Sequence, residues 1–394
     1  MAKVIIDEKK IDEVLSRGVE EIFIKDDLKK SLLSGKQLRI KLGIDPTGPR
    51  IHLGRAIPLR KLRAFQDLGH KAVLIVGDFT AQIGDASDKL SKRPMLTEAQ
   101  IKENLKNYKK TLGKIVDLKK AEFHFNSSWL KKLTFKEVAL LAETFSVQQM
   151  VARRNFKERW DKNEEISLRE FIYPLMQGYD SVAVKSDLEL GGFDQLFNLK
   201  AGRVIQKHYK MKEQDIMTLK MLEGLDGRKM STSWGNVVNI DDEPNDMFGK
   251  IMSLNDELME NYLVLCTNLE ISKTKEILSM SPRDAKIVLA KEIVSVYYGE
   301  KISEEAKNNF VKVFTEKRNP ENIEVRSFGK ESLSLLDLVF ESGFVSSKSE
   351  IKRLIEQGGV KIDEVKKTDS KEIIKLDKEI VLQVGPRRFM RIRK

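Results

Sequence analysis

Three short runs of β-branched and apolar residues, Leu38–Ile44, Ala72–Gly77 and Glu122–Phe125, alternate with helical periodicity at His52–Leu68 and Glu98–Val116. Strands separated by helices of that length cannot pair as hairpins. They close a parallel sheet through right-handed crossovers. Such a sheet presents ligand sites at the carboxyl ends of its strands. Asp45, the pair Gly77-Asp78 and the loop Gly84-Asp85 all fall there.

The fold class expected is therefore α/β, a Rossmann-like, doubly wound parallel sheet. Phe135 to Trp160 reads as a helix and then a charged helical turn, an insertion at about 130–165. After Met221 the strand signal fades, and Glu243 to Phe314 is helical with a break at Ser281-Pro282. Glu316 to Lys330, charged and containing Pro and Asn, separates this from a small terminal module. The expected domains are a sheet domain over 1–225, a helical domain over 226–320, a linker over 321–331 and a small α+β module over 332–394. A chain of 394 residues fits this division, being too long for one ordinary core.

Charge narrows the partners. The net charge is +11, and Arg387 to Lys394 carries five of the positive charges while Ser332 to Val384 is close to neutral. That distribution points to a polyanion. The single cysteine, Cys266, excludes an intrachain disulfide and a multi-cysteine zinc site, and the four histidines show no ligand spacing, so no protein-held metal is expected. No apolar run approaches the roughly 18 residues that span a bilayer, and the first residues are no secretory signal. A cytoplasmic protein is expected.

Two fragments carry phosphate chemistry. Gly43 and Gly54 allow close backbone approach, and a helix opening near His52 aims free N–H groups at an anion. His52 and Thr47 add donors, and Arg55 adds a permanent charge. About 175 residues downstream, Lys229-Met230-Ser231-Thr232-Ser233 offers one cation and three hydroxyls, with Gly224, Gly227 and Gly235 around it. A third cluster lies between them. Tyr173, Gln177 and Asp180 stand at i, i+4 and i+7, on one face of a helix otherwise apolar at Ile172, Leu175, Met176 and Val182. Polar groups so placed need partners. They form either a hydrogen-bonded core network or the wall of a polar pocket.

In their order, Gly43 to Gly54, Gly84-Asp85, Asn126-Ser127-Ser128-Trp129, Tyr173 to Asp180, Gly191 to Gln195 and Lys229 to Ser233 resemble the bacterial tyrosyl-tRNA synthetases, class I enzymes, in their longer subgroup. The resemblance implies that ATP, with Mg²⁺, activates L-tyrosine, and that a homodimer loads it onto tRNA-Tyr. It implies that Tyr173, Gln177, Gln195 and Asp85 hold the ammonium and carboxylate region, and that Asp180 accepts from the phenol. Asp45, Gly192 and Asp194 would line the adenylate, with Asp194 on the ribose. His52, Gly54, Arg55, Thr47, Lys229, Ser231 and Ser233 would serve the transfer, and Met230 and Thr232 the nucleotide.

Four positions depart from the family pattern. Arg55 and Thr232 replace the second histidine of one signature and the second lysine of the other; Phe193 replaces a small hydroxyl residue, and Asp85-Ala86-Ser87-Asp88 replaces D-P-S-G. Arg55, Arg228 or Lys89 could supply the missing charge. The rival reading is a catalytically impaired paralogue that binds RNA.

Ser347 to Val360 resembles the helical core of the S4-type RNA-binding module, with Lys348, Lys352 and Arg353 on it. Val381 to Gly385 reads as the module's last strand, followed by a tail led by Arg387 and Arg388. The resemblance implies a grip on the long variable arm of tRNA-Tyr. Arg153 and Arg154, in the insertion, read either as acceptor-stem contacts across a dimer or as a solvated helix face.

Overall fold

The computed structural model describes residues 3–85, 95–315, 324–345, 347–385 and 388–393. Ala86, Ser87, Asp88, Lys89 and Arg387 lie outside these residues. The chain packs as two units, Met1–Asp242 with Leu254–Ala285, and Glu243–Ser253 with Lys286–Lys394.

The first unit is built on a six-stranded sheet: β1 (Val19–Phe23), β2 (Arg39–Ile44), β3 (Lys71–Val76), β4 (Glu122–Phe125), β5 (Leu188–Gly192) and β6 (Asp215–Leu219). Their order across the sheet is β1-β6-β5-β2-β3-β4. From β2 the chain runs outward through β3 and β4, then returns to build β5 and β6 on the other side. The reversal opens a crevice between β2 and β5, where open α/β sheets take ligands. The parallel, doubly wound sheet is present, with one correction: β1 pairs antiparallel to β6 at the edge.

Two helices frame the crevice. Leu53–Asp67 follows β2, with His52 as its N-cap rather than its first turn. Leu168–Ala183 opens on a capping box in which Ser167 and Glu170 satisfy each other's backbone N–H groups. Glu170 is also held at 2.6 Å by Arg159, and both are buried. The helix lies against Leu196–His208, an approach that Gly178 permits: a Cβ there would come within 2.6 Å of Ile205. The 98–116 region divides into the helices Glu98–Leu105 and Tyr108–Leu112, and the insertion into Phe135–Ala142, Val147–Val151 and Arg154–Asp161. Cys266 is buried in the helix Met259–Cys266, its thiol pushed up to about 12 by burial.

In the second unit, Phe248 of the helix Pro244–Met252 meets Phe310 of the helix Glu300–Thr315, ring centroids 5.3 Å apart. Toward the C-terminus, β7 (Glu324–Ser327), β9 (Val360–Ile362), β10 (Val365–Lys367), β12 (Ile380–Val384) and β13 (Arg388–Arg393) form a sheet in the order β10-β9-β12-β13-β7, with β8 (Ser332–Ser334) and β11 (Ile373–Lys375) as a separate pair. The helices Leu335–Glu341 and Lys348–Glu356 cover a core that includes Leu338, Ile351, Ile355, Leu382 and Ile392. Arg388–Arg393 is therefore a strand, and β12 is not the last one. Met390 and Ile392 alternate with Arg391 and Arg393 along β13, a period of two that buries the two apolar side chains, while the end residues Arg388 and Arg393 are exposed.

Among the described residues no helix is long and apolar enough to cross a membrane.

Candidate active site

A cavity of about 350 Å³ opens at the β2–β5 crevice. Its walls bring together Gly43, Asp45, Thr47, His52, Gly54 and Arg55 from β2 and the turn after it. Asp85, Tyr173, Gln177 and Asp180 join them, with Gly192, Asp194 and Gln195 from the end of β5, and Lys229 and Met230. Residues from nearly 190 positions of sequence thus share one cavity. Gly43 keeps it open, since a Cβ there would meet nothing within 4 Å, whereas one at Gly77 would strike Asp45 and Thr80.

At one end sits Asp180, 3% exposed. Its carboxylate accepts from the Trp129 indole at 2.7 Å and from the Asn126 amide at 3.3 Å. Burial pushes its pKa up to about 7, against the nearby Lys41 ammonium and these two donors. Asn126 also accepts from the Phe79 N–H at 3.0 Å and donates to Thr80 at 3.0 Å, which locks the turn after β3 to the one after β4. Thr80 in turn donates to Asp45 at 2.7 Å. The Tyr173 hydroxyl donates to the other Asp45 oxygen at 3.0 Å, so Asp45 fixes both side chains.

One turn away, Gln195 donates to Asp85 at 2.7 Å, and Asn198 donates to Gln195 at 3.1 Å. Behind Asn198 lies Arg153, whose guanidinium donates to it at 3.3 Å and stacks over Phe197 and Phe156 at 4.3 and 5.0 Å. Burial lowers the Arg153 pKa to about 10. The two aromatic faces draw Arg153 inward and leave it half-buried, not on the solvated helix face that the sequence also allowed. Arg154, with 88% of its side chain exposed, faces solvent.

The opposite end is cationic. The His52 Nδ1 accepts the backbone N–H of Arg55 at 3.3 Å, leaving Nε2 to carry the ring proton. Burial, with the Arg55 charge second, lowers its pKa to about 4, so the ring is neutral near pH 7. The Arg55 guanidinium donates to Thr47. Arg50 anchors the same turn through Asp242 at 2.8 Å.

The Lys229 loop is held at its base by Asn236, which accepts from the Ser231 N–H at 2.8 Å and donates to Asp226 at 2.8 Å and to the Lys229 carbonyl at 3.2 Å. Gly227 and Gly235 take positive φ there, +81° and +68°. Ser231 and Thr232 are not among the cavity-lining residues, and the Ser233 side chain lies outside the described residues; Thr232–Trp234 is a 3-10 turn. Arg228 is directed to Asp226 and lies 5.0 Å from the Trp234 ring centre. Phe193 is 48% exposed.

The sequence and the fold are similar to those of known proteins. A family model described as class I tRNA synthetases (W and Y) matches residues 33–315, and an S4 domain model matches 334–380. The chain belongs to this synthetase family. Among its synthetase relatives, the tyrosine–tRNA ligase of Thermotoga maritima is 45% identical over 96% of each chain. That of Carboxydothermus hydrogenoformans is also 45% identical, over 96% of this chain and 97% of its own. Solved synthetase structures share the fold at lower identity. A C-terminally truncated mitochondrial tyrosyl-tRNA synthetase of Aspergillus nidulans is 22% identical, with a TM-score of 0.65, over 78% of this chain and 94% of its own. The Archaeoglobus fulgidus enzyme, solved with L-tyrosine, gives 0.60 at 21%, over 76% and 100%.

In the S4 region, Lys352 and Arg353 are exposed on the helix Lys348–Glu356, while Ile351 and Ile355 are buried. Lys348 pairs with Asp337 at 2.9 Å. Arg388 donates to the Phe344 carbonyl. Sequence reasoning missed Thr80, Asn198 and Asn236, which touch the substrate-binding candidates from behind. It also missed Lys41 and Glu189, charged residues inside strands, where an apolar pattern is the signal sought.

Proposed function

We propose that the chain is a tyrosine–tRNA ligase: it joins L-tyrosine to ATP as tyrosyl-adenylate, releasing pyrophosphate, and transfers the tyrosyl group to the terminal ribose of tRNA-Tyr. The observation that carries this reading is a buried carboxylate, Asp180, steered by two donors at one end of a cavity whose other end is cationic. A phenol fits the first end and a triphosphate the second. Full-length identity of 45% to tyrosine–tRNA ligases supports the same activity over an impaired RNA-binding paralogue.

In the first step a carboxylate oxygen of tyrosine forms a bond to the α-phosphorus, and the bond to the bridging oxygen of pyrophosphate breaks. The reaction needs two anions held together and charge relieved on the departing phosphates. Asp180 takes the phenol, while Gln177, Tyr173 and the Asp85–Gln195 pair take the ammonium region. Asp45, Gly192 and Asp194 flank the adenylate, with Asp194 on the ribose. His52, through Nε2–H, donates to phosphate oxygens, and Arg55, Thr47 and Lys229 complete the cationic end. In the second step a hydroxyl of the tRNA's terminal ribose attacks the activated carbonyl and AMP leaves. Mg²⁺ enters as part of the ATP substrate, held by the phosphates; among the described residues no three His, Cys, Asp or Glu side chains converge on a metal position.

Two copies of the chain would act together in the cytoplasm. The insertion exposes Phe135 (91%), Val147 (61%) and Trp160 (57%), and Leu168 beside it is 77% exposed, an apolar surface suited to a second copy. Light scattering reads that directly. The S4 region would add an RNA grip that weakens with salt.

The deciding experiment is amino-acid-dependent ATP–pyrophosphate exchange without tRNA, with tyrosine, phenylalanine and tryptophan. Exchange with tyrosine alone is expected. Silence from all three in a folded protein that still binds tRNA would move the reading to the impaired paralogue.

A further inference from the structure

Behind Gln177 lies a fully buried ion pair. Lys41 on β2 and Glu189 on β5 are register partners in the parallel sheet, both 0% exposed, with Nζ and Oε1 2.8 Å apart. Lys41 also donates to the Gln177 carbonyl and the Ser181 hydroxyl, each at 2.8 Å, so its three N–H donors are all engaged. Glu189 accepts from four groups: Lys41, the Gln177 side-chain amide at 3.0 Å, Ser181 at 3.1 Å and Gln214 at 2.5 Å. Gly202 lets its helix backbone close over this network, because a Cβ there would come within 2.3 Å of Gln214 and 3.1 Å of Glu189.

An ionised carboxylate only accepts hydrogen bonds. Glu189 therefore fixes the Gln177 amide nitrogen toward itself, and the amide oxygen is the atom Gln177 offers to the cavity. Lys41, at the same junction, is the principal positive charge acting on Asp180. We propose that the Lys41–Glu189 pair is a positioning device for amino-acid selection: Glu189 turns the Gln177 oxygen toward the substrate's ammonium group, and Lys41 holds both Glu189 and the Gln177 backbone in that register. This inference rests on the ligase reading.

The groups facing Asp180 are Lys41 from β2, Glu189 from β5, Trp129 and Asn126 from the segment after β4, and Tyr173 on its own helix. Lys41 lowers the pKa of Asp180 and Glu189 raises it, with Lys41 the stronger.

Two variants separate the two roles. Glu189→Asp keeps the charge but draws the carboxylate back from Gln177. The KM for tyrosine is expected to rise about 10-fold or more, with kcat changed less than about 3-fold, as for a lost ground-state contact to a buried polar group. The double variant Lys41→Met/Glu189→Gln leaves no unpaired charge. It is expected to show the same rise in KM, and its acid limb for tyrosine binding should move to higher pH by about half a unit or more.

A purely structural pair would leave the KM and the acid limb of folded variants unchanged, and that result overturns the proposal. Should the double variant not fold, Glu189→Asp decides. Should the wild type show no exchange, the ligase reading fails separately, and calorimetric tyrosine affinity across pH still tests the pair.

Discussion

The Trp129 indole and the Asp180 carboxylate, 51 residues apart in the chain, meet in a hydrogen bond of 2.7 Å. The bond aims a buried carboxylate that also accepts from the Asn126 amide at 3.3 Å. A ligand that brings a hydroxyl completes the carboxylate's partners, and one that lacks it leaves a buried charge underpaired.

Removing the carboxylate should therefore erase selectivity. Asp180→Ala is expected to lower the tyrosine-over-phenylalanine ratio of kcat/KM by about 100-fold or more, on the scale of a buried charged group losing its partner. Competitive exchange assays with both amino acids check this. An unchanged ratio would take Asp180 out of the phenol end.

The same burial should be visible in stability. Asp180 titrates near 3.8 when free and near 7 in the fold. The folded state thus holds its proton longer than the unfolded chain. Its contribution is fully present below about 4 and is lost as pH rises toward 7. Asp180→Asn carries no such loss, so its Tm should gain on the wild type between pH 4 and 7 and stay level above. Paired thermal melts across that range check the sign.

His52 behaves in the opposite sense. Its pKa falls from 6.5 to about 4 in the fold, so the neutral ring contributes stability that is lost as pH drops from about 6.5 to 4. The activation rate should show no limb near pH 6.5 from this residue. His52→Ala is expected to lower kcat for exchange about 100- to 1,000-fold, the usual effect of losing one transition-state donor. His52→Gln, which can place an N–H nearby, should recover part of it.

Lys352 and Arg353 are exposed cations in the S4 region. Charge reversal at either should raise the KM for tRNA in aminoacylation while leaving tyrosine-dependent exchange unchanged. Each change is expected to reduce the slope of log affinity against log salt by about 1. Filter binding across a salt series measures it.

Much of the catalytic unit was legible because its signals are local. β2, β3 and β4 announced themselves by apolar runs, and the Tyr173, Gln177, Asp180 stripe by helical spacing. β5 and β6 did not, because β5 carries Glu189 and two glycines and β6 opens on Asp215. A charge inside a strand reads as exposure until its partner is known, and Lys41 lies 148 residues away. The shelter of Arg153 was hidden for the same reason, since Phe197, which covers it together with the nearby Phe156, is brought to it only by folding. The alternation in β13 was present in Arg388 to Arg393 but was obscured by the density of arginine.

The closed accounting of donors and acceptors around Lys41 and Glu189 also bears on how such a protein evolves. A single substitution that neutralises either residue strands the other's buried charge, a loss of about 3–5 kcal/mol, whereas exchanging both for neutral residues of similar volume is often nearly neutral in stability. The two codons are thus separated by a fitness valley that one mutation cannot cross. Descendants of this gene should keep both residues or lose both together.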